Sequence, residues 1–573
     1  MIAVFSLSIS SKLESIMKNN NNLQSLNQLI EEAIKKNWNL PAFSDMNGIT
    51  YQFRQVALTI EKLHILFKAA GVREGDKIAI CGKNSSNWAV IFLACLTKGI
   101  VAVPLLHEFN PETITHLVNH SDAKLLFVDA AIWKNLNADE LKGLTGAIFI
   151  SEFGMPLSRS KKLTDARNNL NELFGKKYPY DFTPKDIDWH KDSPDELAVI
   201  NYTSGSTGMS KGVMLPFRSL WSNIRYSIDH LDFLKPGDGI VNMLPLAHLY
   251  GMTIEMLHPF VKGCHCNFLT KVPSPAILMN AFSHVRPKLI VAVPLVIEKI
   301  IQTKVFPVIR KPMMKLMLKL PVIKERIHKK ILNQLVHAFG GQIREIIIGG
   351  AALNKDVAEF LDEIKFPYTV GYGMTECGPL VSYAPPAETR PGSVGKIVDR
   401  MELMVDSDDP VNKPGNLLLK GDNVMSGYYK NPEATKDTFL PGGWMNTGDL
   451  VTVDPDGYIY IKGRSKTMIL GPSGQNIYPE EIEQKINNLP YVLESLVIDD
   501  GGKLVALVYP DYESMEKNNL KPENAVSLMD DNLKLLNQQL PAYSKVSSIR
   551  IMDKEFEKTP KRSIKRYLYQ KNQ

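Results

Sequence analysis

The sequence predicts an α/β protein with a large N-terminal domain of parallel α/β sheets and a small antiparallel β subdomain, followed by a smaller α+β C-terminal domain. Strand-like and helical stretches alternate from Leu26 onward, which is typical of parallel sheets. After Gly392 the pattern changes to short strands with frequent turns, which indicates antiparallel pairing. Beyond Arg464 a helix, two strands and a final helix fill about a hundred residues, the size of one domain.

The first elements follow from the spacing of apolar residues. Helical periodicity and β-branched runs predict, in order, helix 26–36, helix 54–70, a strand from Ile78, helix 88–98, a strand from Val101, helix 111–120 and a strand from Lys124. Three later strands, in LAVINYTSGS, KLIVAVP and REIIIGGAAL, lead directly into loops that contain Gly or Pro. Because ligands bind at the carboxyl ends of parallel strands, these loops are expected to form the site.

These patterns also predict the domain limits. Residues 1–25 are expected to be a disordered extension, residues 26–463 the large domain and residues 464–573 the small one. The stretch MIAVFSLSIS lacks both the basic segment and the cleavage site of a signal peptide. Translation starting at Met17 is a further hypothesis, which mass spectrometry of the native N-terminus would test.

The charge is unevenly distributed. The chain has 67 basic and 61 acidic residues, a net charge of +6, and this slight excess does not indicate nucleic acid as a partner. Residues 305–330 contain eight basic residues and one acid, so that segment carries the whole excess. Five scattered cysteines and the lack of an 18-residue apolar run favour a cytoplasmic protein.

The strongest local motif is YTSGSTGMSKG, which directly follows a predicted strand. Glycines let backbone N–H groups approach an anion, hydroxyls donate further hydrogen bonds and a lysine adds positive charge. The predicted phosphate-binding residues are Thr203, Ser204, Gly205, Ser206, Thr207, Gly208 and Lys211. The alternative is a flexible Gly/Ser connection. Downstream, GYGMTE offers Tyr372 and Gly373 for adenine, Thr375 for phosphate and Glu376 for Mg²⁺, with an ordinary turn as the alternative.

Five blocks in matching order resemble the adenylate-forming superfamily of acyl-CoA synthetases, luciferases and peptide-synthetase adenylation domains. They are YTSGSTGMSKG, LPLAHLYG, GYGMTE, TGDL and GRSKTMILGPSGQNIYPEEIE, and the likeness runs from about Leu26 to the end. The resemblance implies that residues 26–463 are an AMP-binding adenylation domain. It also implies an acid–thiol ligase that uses ATP, Mg²⁺ and coenzyme A, and the chain resembles the long-chain fatty acid–CoA ligase branch.

The resemblance also implies individual roles. Gly349, Gly350 and Ala351 border adenine, Tyr372 stacks on it, Thr375 contacts the α-phosphate, Glu376 holds Mg²⁺, Asp449 and Arg464 bind the ribose, and Gly474 lines the pantetheine channel. Lys466 is the implied hinge about which a mobile C-terminal domain swings. His248 and Gly251 are implied to wall the acyl pocket. The alternatives are a turn-capping role for Asp449 and a merely packed His248.

The terminal motif departs from the family pattern P-K-T-x-x-G-K-I-x-R. With Lys558, Thr559 and Ile564 aligned, Ser563 occupies the place of the adenylation lysine. A serine cannot supply that cation, so Lys561 and Lys565 are predicted to replace it. The alternative is a catalytically weakened homologue that binds nucleotide and acyl chain.

The basic segment bears on substrate and partners. Lys311, Lys315 and Lys319 are four residues apart, with Met and Leu around them, which predicts one basic amphipathic helix. This favours a medium- or long-chain fatty acid as substrate and peripheral contact of residues 305–330 with the inner membrane face. A helix packed by its apolar face is the structural alternative, and an acyl carrier protein is the alternative acceptor to CoA.

Overall fold

The structure is a computed structural model, and it describes residues 25–46, 48–203, 210–271, 273–470, 476–559 and 564–570. Residues 1–24 of the predicted extension therefore lie outside the described residues. Ser25 is the N-cap of helix Leu26–Lys36, where its Oγ accepts a hydrogen bond from the Gln28 backbone N–H at 3.3 Å. The Gln28 side chain accepts from the Ser25 N–H in return, and this reciprocal capping fixes where the helix begins.

An eight-stranded sheet forms the centre of the large domain. Its spatial order is Gly427–Tyr428, Lys211–Pro216, Leu197–Thr203, Val101–Leu105, Lys77–Cys81, Ala123–Val128, Gly146–Phe149 and Leu157–Ser158. The five strands from Leu197–Thr203 to Gly146–Phe149 are parallel, as predicted, but the strands at both edges are antiparallel. Lys211–Pro216 and Leu157–Ser158 each follow the strand they pair with after a short connection, which leaves no room for the helical crossover that parallel pairing requires.

Smaller sheets complete the large domain. Leu289–Ala292, Glu345–Ile348 and Tyr368–Val370 form a parallel sheet; Gly239–Asn242, His265–Phe268, Pro41–Asp45 and Thr50–Gln52 form a mixed one; and Tyr372–Gly373, Leu380–Tyr383 and Lys396–Ile397 form an antiparallel one. The predicted antiparallel subdomain is confirmed, with strands Met401–Asp406, Gly415–Gly421, Phe439–Leu440, Trp444–Val453 and Ile459–Arg464. Together these sheets direct several strand ends toward one cleft.

Helices cover these sheets. The longer ones are Leu26–Lys36, Phe53–Ala69, Ser86–Leu96, Pro111–His120, Lys161–Asn168, Leu170–Lys177, Phe217–His230, Pro275–Val285, Pro321–Ala338 and Lys355–Glu363, and Tyr250–Leu257 is a π-helix. Helix Ser86–Leu96 is buried on every side, consistent with its wholly apolar centre. Among the described residues, none of the helices combines the length and apolarity needed to cross a bilayer.

The prediction of one continuous amphipathic helix in the basic segment is wrong. The chain forms a short helix, Pro312–Met317, and a separate one, Pro321–Ala338. Each begins with proline at its first turn, where the missing N–H costs nothing, and proline cannot continue a preceding helix. Lys311 is the extended N-cap of the first helix and Lys319 lies beyond its end, so the predicted lysine stripe is broken.

The C-terminal part packs around its own core. Strands Val492–Asp499, Leu504–Pro510 and Ser548–Ile551 form a sheet, helices Pro479–Ile486 and Ala525–Gln538 pack on it, and Ile469–Leu470 pairs with Asn476–Ile477. The strand Ser548–Ile551, which pairs in parallel with Leu504–Pro510, was not predicted. The buried residues of the large hydrophobic core end at Ile459 in sequence, and those of the C-terminal core begin at Ile477. The exact domain limits stay a prediction.

Candidate active site

A cleft of about 2250 Å³ lies where the large domain faces the C-terminal part. The structure brings most of the predicted site residues to its walls, namely Thr203, Lys211, His248, Gly251, Gly350, Ala351, Tyr372, Gly373, Thr375, Glu376, Asp449, Arg464, Lys466 and Lys565. Gly349 lines a small adjoining cavity of about 80 Å³ behind Tyr250. Ser204, Gly205, Ser206, Thr207, Gly208, Gly474, Lys561 and Ser563 lie outside the described residues.

Strand ends explain this convergence. Gly349, Gly350 and Ala351 directly follow the central strand of the three-stranded parallel sheet, and Gly371 to Gly373 follow its neighbour Tyr368–Val370. Thr203 and Lys211 are cross-strand partners at the ends of Leu197–Thr203 and Lys211–Pro216. The carboxyl ends of parallel strands therefore open onto the cleft, as the sequence predicted.

Tyr372, Asp449 and Arg464 form one hydrogen-bonded group. The Tyr372 hydroxyl donates to Asp449 Oδ2, and Arg464 Nε lies 3.1 Å from Asp449 Oδ1. Burial, with the Asp449 carboxylate second, raises the pKa of Tyr372, while Asp449 raises the pKa of Arg464. The turn before Asp449 is capped instead by Asn446, whose Oδ1 accepts from the Gly448 N–H at 2.9 Å. The buried Asp449 carboxylate thus orients a tyrosine and an arginine at the cleft.

Lys211 and Glu376 are linked through a tyrosine that the sequence analysis missed. The Tyr428 hydroxyl donates to Glu376 Oε1 at 3.0 Å, and Lys211 Nζ lies 4.9 Å from the centre of the Tyr428 ring. Burial and the nearby Glu376 carboxylate raise the pKa of Tyr428, so its hydroxyl stays protonated. Since Tyr428 is 52 positions from Glu376, no local sequence pattern connects them.

Three polar side chains, of which Glu255 and Asn201 are buried and Asn84 is half-buried, hold the loop that carries His248. The Glu255 carboxylate accepts from the backbone N–H groups of Met243 at 3.0 Å and Leu244 at 2.9 Å. Asn84 Oδ1 accepts from the Leu246 N–H at 2.8 Å, and Asn201 Nδ2 donates to the Ala247 carbonyl at 2.8 Å. No local sequence pattern predicts these supports, because each comes from a different part of the chain.

Local packing requires glycine at position 251, which the sequence did not indicate. A Cβ at this position would lie 2.7 Å from the Pro245 carbonyl oxygen. The loop therefore needs glycine there to fold back on itself, quite apart from any ligand. His248 is half-buried and lines the cleft with Gly251.

One arm of the cleft is rich in apolar side chains. They come from the four helices Pro275–Val285, Pro294–Ile300, Phe306–Ile309 and Pro321–Ala338, and they are Leu278, Phe282, Val296, Ile300, Val308, Ile309, Ile331, Leu335 and Ala338. Leu295 and Val308 on this wall are 59% and 47% exposed. Large apolar side chains left open inside a concave surface are typical of a site for an apolar ligand.

The C-terminal part contributes polar groups. Lys565 Nζ lies 3.3 Å from Glu557 Oε2, and the adjacent Arg566 pairs with Glu480 at 3.5 Å and with Glu483. Burial raises the pKa of Glu483 to about 7 although Arg566 lowers it. Lys466 lines the cleft just beyond the strand Ile459–Arg464. Lys565 thus lines the cleft and already has an acidic partner.

Strand-end loops around a large cleft, which the C-terminal part also lines, are typical of an α/β enzyme. The family described as AMP-binding enzyme matches residues 30–429, and the family described as AMP-binding enzyme C-terminal domain matches residues 466–572. The chain belongs to the AMP-binding enzyme family. This confirms the predicted membership of the adenylate-forming superfamily.

Curated relatives cover most of the chain. The long-chain-fatty-acid–CoA ligase FadD15 of Mycobacterium bovis is 26% identical over 87% of this chain and 86% of its own. A long-chain-fatty-acid–CoA ligase of Escherichia coli is 27% identical over 82% of each chain. Long-chain-fatty-acid–CoA ligase 5 of Rattus norvegicus is 27% identical over 81% of this chain and 71% of its own.

Solved structures share the fold. The anthranilate CoA ligase AuaEII in complex with anthranoyl-AMP superimposes with a TM-score of 0.78 at 20% identity, covering 96% of this chain and 98% of its own. ATP-bound MatB from Rhodopseudomonas palustris gives 0.74 at 22% identity, covering 95% and 98%. A fatty acyl CoA synthetase of Mycobacterium tuberculosis gives 0.64 at 20% identity, covering 95% and 97%. The predicted fold class is confirmed.

Proposed function

We propose that this enzyme is an acid–thiol ligase that activates a medium- or long-chain fatty acid with ATP and transfers the acyl group to coenzyme A. In the first step a carboxylate oxygen bonds to the α-phosphorus of ATP, the bond to the bridging oxygen breaks and pyrophosphate leaves. In the second step the CoA thiol, losing its proton, attacks the acyl carbonyl and AMP leaves. Family membership and the names of the curated relatives support this chemistry.

The observation that carries the choice of acid is the apolar arm of the cleft. Helices Pro275–Val285 and Pro321–Ala338 supply apolar side chains to it, and His248 and Gly251 line the same cleft. Typical small-molecule pockets measure roughly 300–1000 Å³, so a cleft of about 2250 Å³ has room for a nucleotide and a long acyl chain together. Each buried methylene contributes about 0.8 kcal/mol, which favours long chains over short ones.

The polar arm is the proposed ATP site. Asp449 and Arg464 offer a carboxylate and a guanidinium for ribose hydroxyls, and Tyr372 offers an aromatic face for adenine, bordered by Gly349, Gly350 and Ala351. Thr203 and Lys211 flank the phosphate loop and Thr375 faces the cleft. Such groups stabilise phosphoryl charge mainly by position and electrostatics.

Glu376 is the proposed Mg²⁺ ligand. Its half-buried carboxylate faces the cleft and offers hard oxygen donors. Magnesium is commonly held by one or two carboxylates together with substrate phosphates, so a single carboxylate here fits that mode. When bound, the ion would neutralise charge on the phosphate oxygens.

The decisive experiment is pyrophosphate release by the purified protein with Mg-ATP, CoA and fatty acids of C8 to C18, with benzoate as the aryl comparison. Turnover that rises with chain length is expected. Replacing CoA with acyl carrier protein separates the two acceptors. No turnover with any acid would refute the proposed ligase. If turnover then appears in Ser563→Lys, the chain is a weakened homologue that has lost the first step rather than the site.

We also propose that the 310–322 surface contacts an anionic membrane at the inner face. Met313 and Leu316 are 76% and 66% exposed, and Lys311, Lys315 and Lys319 surround them. Apolar side chains insert into the headgroup region while lysines meet anionic lipids, which suits this composition. The break between the two helices is compatible with membrane contact. The exposed side chains themselves would meet the membrane, and one continuous helical stripe is not needed.

Vesicle sedimentation tests the membrane proposal. The protein should pellet with vesicles that contain phosphatidylserine, less so in high salt, and hardly with phosphatidylcholine alone. Leu316→Asp should reduce pelleting, whereas the matched change Leu493→Asp, at another exposed leucine on the C-terminal part, should not. Equal pelleting of both variants would exclude the 310–322 surface as the contact.

A further inference from the structure

Tyr428 contacts both charged groups of the proposed phosphate and metal site. Its side chain is buried, with 8% of the residue exposed, and its hydroxyl donates to Glu376 Oε1 at 3.0 Å. The ammonium of Lys211 lies 4.9 Å from the ring centre, within the range of cation–π attraction. One neutral side chain therefore touches an anionic and a cationic group at the same end of the cleft.

The backbone around Tyr428 is firmly held. The Tyr428 N–H donates to Thr435 Oγ1 at 2.9 Å, and the next residue donates its N–H to the Gly212 carbonyl at 2.7 Å. Gly427 has a φ of +136°, and a Cβ there would lie 2.8 Å from Thr435 Cγ2. The chain therefore needs glycine immediately before the tyrosine, and the short strand Gly427–Tyr428 is fixed against Lys211–Pro216.

This segment is also anchored to the Glu376 backbone. The Met425 N–H donates to the Glu376 carbonyl at 2.9 Å, three residues before Tyr428. Backbone hydrogen bonds thus join the segment both to the strand of Lys211 and to Glu376. The phenol is placed by two neighbouring elements rather than by its own rotamer alone.

A phenol suits this position because it leaves both charges intact. A direct Lys–Glu pair would satisfy each charge with the other and compete with phosphate and Mg²⁺. A hydroxyl donor instead orients the carboxylate without bringing a positive charge to it, and the ring face attracts the ammonium without bringing a negative charge to it. The carboxylate of Glu376 and the ammonium of Lys211 therefore both remain available to bind a metal–nucleotide complex.

We propose that Tyr428 is a positioning residue that holds Glu376 for the Mg²⁺ of Mg-ATP and Lys211 for a phosphate group. The proposal rests on the proposed function, because it assumes that this end of the cleft binds Mg-ATP. It goes beyond that function by separating two contacts of one side chain: the hydroxyl acts on the metal through Glu376, and the ring acts on the phosphate through Lys211.

Binding measurements on Tyr428→Phe and Tyr428→Leu separate the two contacts. Isothermal titration with ATP is done in Mg²⁺ and in EDTA. Phenylalanine keeps the ring and loses the hydroxyl, so the Kd for Mg-ATP should rise about tenfold while the Kd in EDTA changes less than about twofold. Leucine also loses the ring face, so the Kd in EDTA should rise about threefold as well.

The next residue provides a matched control. The Tyr429 hydroxyl also donates to a carboxylate, Asp122 Oδ2 at 2.7 Å, but at an exposed site on the other side of the strand. Tyr429→Phe removes the same kind of hydrogen bond and should leave both Kd values unchanged. In a Glu376→Gln background, Tyr428→Phe should have no further effect on Mg-ATP binding.

The outcomes are distinguishable. If the wild-type protein binds no ATP, the proposed function and this proposal both fall. If it binds Mg-ATP and Tyr428→Phe matches it, or weakens ATP equally with and without Mg²⁺, the positioning proposal alone is overturned. Melting temperatures of all variants are measured in parallel. A Tyr428→Phe effect that persists undiminished in Glu376→Gln would likewise overturn it.

Discussion

Glu345 gives the enzyme a measurable pH dependence of stability. It begins the strand Glu345–Ile348, which leads to the predicted adenine loop, and its carboxyl is buried with the Tyr383 hydroxyl donating to it at 2.8 Å. Burial raises its pKa from 4.5 to about 7. Between these values the unfolded chain has lost the proton while the folded protein keeps it.

The direction in which stability changes with pH follows from this difference in protonation. Stability from the protonated carboxyl is fully present below about pH 4.5 and is lost as the pH rises to about 7, where the loss reaches about 3 kcal/mol at about 1.4 kcal/mol per pH unit. Glu345→Gln stays neutral and can still accept from Tyr383. Its stability relative to the wild type should therefore increase by about 3 kcal/mol between pH 5 and pH 8.

Thermal unfolding monitored at pH 5, 6, 7 and 8 tests this. With an unfolding entropy of about 2.1 cal/mol/K per residue, a domain of about 440 residues shifts its Tm by about 1 °C per kcal/mol, so the variant should gain about 3 °C over the wild type across the range. Glu402→Gln makes the same change at an exposed position and should follow the wild-type curve. A difference between Glu345→Gln and wild type that stays constant with pH would refute the reasoning.

Three further predictions concern activity. Ala338→Trp fills the apolar arm, so kcat/KM for C16 acids should fall about 200-fold relative to C8 if about four methylenes lose their contacts, as pyrophosphate release would show; an equal fall for both acids would contradict it. Asp449→Asn leaves Arg464 without its carboxylate and should raise the Kd for ATP at least tenfold with little change in Tm. Glu557→Gln frees Lys565 and should speed acyl-adenylate formation if Lys565 replaces the missing lysine, an effect that Lys565→Ala should abolish.

Element positions were predictable where local signals agree. Helices Leu26–Lys36 and Pro111–His120 match the predicted ranges, because periodic apolar residues lie between a capping Ser25 or Asn110 and a polar end. Strand Val101–Leu105 matches for a similar reason, as a short apolar run inside the sheet. The site loops also reach the cleft as expected, since they follow such strands.

The errors have identifiable causes. In the basic segment the lysine spacing was given more weight than Pro312 and Pro321, although each proline marks the start of a new helix. The strands Lys211–Pro216 and Leu157–Ser158 pair antiparallel with the strands that precede them because the connections are too short for a crossover. The strand Ser548–Ile551 is short and half-buried, so its pairing depends on the sheet it joins.

The tertiary hydrogen bonds that orient the motif residues could not be predicted from the sequence. Glu376, His248 and Asp449 lie in recognisable blocks, but the groups that orient them include Tyr428, the Glu255 carboxylate and the Tyr372 hydroxyl, all set by tertiary contacts. A buried carboxylate such as Glu255, whose pKa burial raises well above 4.5, is costly to bury and is held by backbone N–H donors. The two hydrogen bonds offset part of this cost and fix the conformation of the loop that carries His248. Motifs therefore identify which groups meet a ligand, whereas the buried polar contacts determine whether those groups are already in place when it arrives.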